Sequence, residues 1–158
     1  MTVKFTSKQD LSQFENFFKA VKVLDYRQVT YGFYDDPHYS GLNTATLAAI
    51  HEQGWGGLPA RSFMTSTAVL FDKPLKKFQR DLFTYFAAGG KNPAAIFNMI
   101  GKAGAEKIKF VIDAGKFPHP TVSEGWADVK GFSEALIHYG DLRDSATFKV
   151  SKGKDKEE

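Results

Sequence analysis

The chain has 158 residues, with 21 Lys and Arg against 18 Asp and Glu, no cysteine, 42% hydrophobic residues, and 15 Phe, 6 Tyr and 2 Trp. A chain of this length buries roughly 68–70% of the surface its unfolded form exposes, so folding requires neither disulfide nor structural metal. The missing cysteine excludes disulfide scaffolds, thiolate zinc sites, Fe–S clusters and cysteine nucleophiles, and a net charge of +3 of mixed sign is too small to indicate nucleic acid by itself.

The first ten residues lack the apolar stretch of a signal peptide, and no window approaches the roughly 18 apolar residues of a membrane span; a soluble protein of a reducing compartment is expected. Ser7 and Asp10 have capping-box spacing, and Leu11, Phe14, Phe18 and Val21 then form one helical stripe, with Phe14 and Phe18 expected in the core. Over residues 26–34 the period changes to two: Arg27, Val29, Tyr31 and Phe33 alternate with Tyr26, Gln28, Thr30 and Gly32, the pattern of a half-buried strand. Pro37 ends it.

Asn43 or Thr44 caps a short helix carrying Leu47 and Ile50, which Gly54 closes at the C′ position. Residues 55–63, with Trp55, Gly56, Gly57 and Pro59, read as a loop. Pro74 suits the first turn of the next helix, where Leu75, Phe78, Leu82 and Phe86 form the apolar stripe and Lys76, Lys77 and Arg80 the wet side, until Gly89-Gly90 stops it. Asn92-Pro93 opens a long helix to Ala114 with Ile96, Met99, Ile100, Ala103 and Val111 on one face. Gly101 and Gly104 lie inside it at about 1 kcal/mol each, which implies close packing or a break.

Gly115 and Pro118-His119-Pro120 end that helix, and Thr121 or Ser123 opens a short one through Trp126 and Val129. A helical turn from Leu142 leads into a strand at Thr147-Phe148-Lys149-Val150. The charged tail, residues 151–158, is expected to be disordered. The fold class is α+β: one domain over residues 1–150, a small mixed or antiparallel sheet packed by several helices, one of them long.

Catalytic chemistry finds little support. Ile50-His51-Glu52-Gln53-Gly54-Trp55 begins like a zinc-protease helix, but Trp stands where the second imidazole is needed. Ala88-Gly89-Gly90-Lys91-Asn92 lacks the first glycine and the Ser or Thr of a phosphate loop. His38, His51, His119 and His138 are scattered, without a serine in a nucleophile elbow. No catalytic, metal-binding or cofactor-binding residue is therefore nominated, and no enzymatic activity is expected. The cations of residues 73–80 fit the solvated face of an amphipathic helix, with a small basic DNA- or RNA-binding accessory protein as the alternative function. Trp, Leu, Arg and Phe in the glycine-rich loop 55–63 are types enriched at protein contacts, and an equal alternative is that Trp55 folds back onto the core.

Two stretches resemble a known family. Residues 49–54, Ala-Ile-His-Glu-Gln-Gly, followed by Gly57-Leu58-Pro59-Ala60-Arg61-Ser62-Phe63-Met64, are similar to a segment of tailed-bacteriophage neck and tail-completion proteins. There, a short helix ending "Glu, x, Gly" leads into "hydrophobic, Pro, x, Arg, x, Phe". Ala135-Leu136-Ile137-His138-Tyr139-Gly140-Asp141-Leu142-Arg143-Asp144-Ser145, followed by Phe148-Lys149-Val150, resembles that family's ending, with Tyr139 in place of the usual threonine. Ser62 likewise replaces a second proline.

The resemblance implies a virion morphogenesis protein that forms a ring at the head–tail junction around the DNA path, as a neck or tail-completion component. Its partners would be copies of itself, in a ring of about six or twelve, and neighbouring head-closure, adaptor and tail proteins; DNA would pass nearby without sequence reading. No cofactor and no membrane enter, and the location is the virion, with the host cytoplasm during assembly. Candidate subunit-interface residues are Trp55, Leu58, Pro59, Arg61, Phe63 and Trp126. Gly54, Leu136, Ile137, Gly140, Leu142 and Ser145 are expected to hold the fold, Gly140 through a positive-φ turn and Leu142 by burial beside the last strand.

Overall fold

The computed structural model describes residues 14–15, 17–19, 21–22, 24, 27–116 and 140–152. Its elements are β1 (Arg27–Gly32), α1 (Thr44–Gln53), α2 (Phe63–Ala87), α3 (Ala94–Ala114), α4 (Asp141–Asp144) and β2 (Thr147–Lys152). The arrangement is the α+β one expected, a small antiparallel sheet packed by helices.

β1 and β2 pair antiparallel, Val29 opposite Val150 and Tyr31 opposite Phe148. In β1, Arg27, Val29 and Tyr31 are half-buried between exposed Gln28 and Thr30, as the period of two predicts. β2 continues through Ser151 and Lys152, opposite Gln28 and Arg27, so these two residues, expected in the disordered tail, are part of the sheet. Residues 153–158 lie outside the described residues.

The sheet rests on α3, and Gly101 and Gly104 are the reason it fits. A Cβ at Gly101 would collide with the Phe148 ring and come within 2.9 Å of Val29 Cγ2; one at Gly104 would lie 2.5 Å from Tyr31 Cγ. Close packing against three side chains of the sheet, and not a break, explains the glycines, and α3 runs unbroken for 21 residues. Its buried face is Phe97, Ile100, Gly101, Gly104, Ala105, Ile108, Val111 and Ile112. Met99, expected on that face, is exposed, because a stripe drawn through large side chains alone misses the side on which the glycines admit the sheet.

α2 departs most from expectation. It starts at Phe63, spans 25 residues and carries Pro74 in its middle instead of its first turn. The missing N–H and the clash with the preceding turn cost about 3 kcal/mol. A continuous stripe offsets this: Phe63, Thr67 and Phe71 are buried before the proline, and Leu75, Phe78, Leu82 and Phe86 continue it beyond. Near the N-terminus, Phe14 and Phe18 are exposed, whereas the neighbouring Phe17 packs its ring 5.4 Å from that of Phe83. With three phenylalanines close together, tertiary contact selects the face, and it selects the one off the predicted stripe.

The main core gathers Ala48, Phe63, Ile108, Val111, Ile112, Leu142 and Ala146, flanked by Tyr31, Phe33, Leu47 and Met64. Gly140 adopts φ 77°, the positive-φ turn expected, and Leu142 is buried, as expected, in the core cluster. Ser145 Oγ donates to the Leu142 carbonyl at 2.7 Å, closing the α4 turn. Arg143 binds both oxygens of Asp113 at 2.9 Å, tying α4 to the end of α3. Among the described residues, no helix is long and apolar enough to cross a membrane.

Candidate functional site

The segment joining α1 to α2 is built in three steps. α1 begins where Asn43 Oδ1 accepts the Thr46 N–H at 2.7 Å, and it ends at Gly54 in the left-handed region, φ 74° and ψ 45°. The chain returns directly over this glycine: a Cβ there would strike the Ala60 backbone and lie 2.8 Å from the Leu58 carbonyl oxygen. Gly56 and Gly57, at φ 70° and 82°, make the reversal between.

The returning segment is then tied down. Arg61 N–H donates to the His51 carbonyl at 2.8 Å. Phe63 is fully buried, its ring edge-on to Phe33 at 5.6 Å, and the Arg61 side chain is only 5% exposed. Burial lowers the pKa of the Arg61 guanidinium from its ordinary value.

Finally, α2 is capped from outside itself. Ser62 stands at the N-cap position without a side-chain cap bond, and Glu52, on the last turn of α1, takes over. Glu52 Oε2 accepts the Met64 N–H at 2.8 Å, while Oε1 accepts the Thr65 N–H at 3.0 Å and the Thr65 hydroxyl at 2.7 Å. A carboxylate there satisfies donors that a helix start leaves unpaired and complements the positive end of the helix. His51, beside it, has its Nδ1 buried and, among the described residues, without a hydrogen-bond partner. Burial, and secondly the charge of Arg61, hold its pKa at about 4 instead of 6.5.

What remains outside this knuckle is apolar. Trp55 is 72% exposed and Leu58 42%, while Pro59 is half-buried. The structure thus divides the predicted interface set. Trp55 and Leu58 form a surface tip, whereas Arg61 and Phe63 are buried within the chain, Phe63 in its core. Trp126, Leu136 and Ile137 lie outside the described residues. The capping role of Glu52 is not legible in the sequence, because capping rules look three residues ahead and this cap acts across a loop. Its only sequence signal is a glutamate just before a glycine stop, with no local cap at the next helix.

A second exposed feature lies on α2, where Lys73, Lys76, Lys77 and Arg80 all face solvent. Among the described residues, Lys76 alone of the four is paired, with Asp72 at 2.7 Å. Compared with models of known protein families, with curated proteins and with solved structures, the chain matches none.

Proposed function

We propose that the protein is a structural component of a tailed-bacteriophage particle, a neck or tail-completion protein that assembles into a homo-oligomeric ring at the head–tail junction and has no catalytic role. The observation that carries this reading is the tip, in which Trp55 and Leu58 stand in solvent on a loop that Gly54, the Arg61–His51 backbone bond and buried Phe63 hold in one shape. A pre-organised aromatic anchor lowers the ordering cost of association, and tryptophan is the side chain most often dominant in such contacts. A closed ring is built from heterologous contacts, so each copy needs a protruding surface and a receiving one.

The resemblance supports the same reading. The residues that recur in that family's central motif, Leu58, Pro59, Arg61 and Phe63, are here one stem and its tip. The neighbours in the particle would be head-closure, adaptor and tail proteins. Native mass spectrometry of the purified protein, together with protein identification in purified virions, tests the proposal. A closed ring and presence in the particle are expected. A protein that stays monomeric and is missing from virions overturns the reading.

A further inference from the structure

We infer that the outward face of α2 is a contact surface for the phosphate backbone of double-stranded DNA. The choice of DNA as partner rests on the connector reading; the surface rests on charge and placement. Lys73, Lys76, Lys77 and Arg80 follow i, i+3, i+4 and i+7 spacing, which puts four cations on one side of the helix. All four are exposed. Among the described residues, Lys73, Lys77 and Arg80 form no ion pair.

Asp72 and Asp81 are the only carboxylates over residues 72–81, so four cations against two anions leave a local excess of +2, most of the chain's net +3. The row extends about 10 Å along the axis, close to three charge spacings of one DNA strand. It is also rigid, because the opposite side of α2 is anchored by buried Phe71 and Phe86. That anchoring distinguishes the partner. The buried stripe of α2 is used by the core and is not free to enter a lipid surface as that of an interfacial helix does, and Val69, Leu70 and Phe83, which α2 leaves exposed, form no second stripe. Three of the four cations are lysines, which present point charges without bidentate geometry, and the single Arg80 cannot by itself specify a site, so the contact is to phosphates of any sequence.

Fluorescence anisotropy with labelled duplexes of unrelated sequence, titrated across KCl concentration, tests the surface. Log affinity is expected to fall linearly with log salt with a slope of about −3 to −4, near 0.9 per phosphate neutralised. The triple variant Lys73→Gln, Lys77→Gln, Arg80→Gln is expected to keep the wild-type melting temperature, lose about 2.7 from that slope and weaken binding equally on every sequence. Lys91→Gln with Lys102→Gln is the control and should leave the slope unchanged. No duplex binding at low salt, an unaltered slope in the triple variant, or tighter binding to phosphatidylserine vesicles than to DNA overturns the proposal. Native mass measured on the same samples separates the two ideas. A ring that ignores DNA removes this surface and leaves the connector reading intact, whereas salt-dependent binding by a protein that never assembles supports the surface and removes the ring.

Discussion

Glu52, Gly101 and His51 each perform work that their residue type alone does not announce. Glu52 supplies the acceptors for the first turn of α2, and Glu52→Ala is expected to lower stability by about 1–2 kcal/mol, measured as a shift of the urea midpoint with unchanged m-value. Gly101 and Gly104 face rings of the sheet at distances no Cβ tolerates. Gly101→Ala should therefore destabilise by about 1–3 kcal/mol through overpacking, against the gain of about 1 kcal/mol that alanine brings to an open helix position. Equal or greater stability of the alanine variant would show that α3 and the sheet do not meet there. His51 carries a pH dependence. Its pKa is about 4 in the folded chain against 6.5 unfolded, so between those values the unfolded state binds more protons. The stabilising share of neutral His51 is complete above 6.5 and is lost as pH falls toward 4. A melting-temperature profile over that range should flatten in His51→Gln.

At the scale of elements, α2 poses the sharpest question, since it spends a proline in its interior. Pro74→Ala is expected to raise stability by up to about 3 kcal/mol, read as a higher unfolding midpoint, because the stripe around it already specifies the helix. How much could be read in advance follows from the range of each signal. α1 was legible at both ends, through Asn43 and Gly54, as were β1 by its alternation and the turn from Gly140 into β2, because caps, turns and periods are local. The start of α2 was not legible: its cap comes from another helix, and the proline rule pointed to the wrong turn. The face of α3 was half legible, since Ile100 and Val111 lie on it but the glycines that locate the sheet read as defects. In the linking loop, the role of Gly54 followed from sequence, whereas the exposure of Trp55, which sequence left open between core and surface, and the burial of Arg61 and Phe63 depended on contacts with distant elements.

For the whole molecule, the division between tip and stem yields opposite outcomes for neighbouring substitutions. Trp55→Ala removes an exposed side chain, so it is expected to leave the melting curve unchanged and to abolish or weaken ring formation by native mass. Phe63→Ala empties a fully buried position and should cost about 3–5 kcal/mol, with assembly lost only because the fold is lost. Equal thermal damage from the two substitutions would place Trp55 in the core and remove the proposed contact.

The cap supplied by Glu52 also makes the molecule its own reporter. Because the amides of Met64 and Thr65 are held by a residue on the far side of the loop, opening of the knuckle exposes them to solvent before the rest of α2 lets go. Their hydrogen–deuterium exchange rates thus serve as a clock on the loop. Slowed exchange at Met64 and Thr65, with unchanged rates at the centre of α3, would be the signature of something grasping Trp55 from outside.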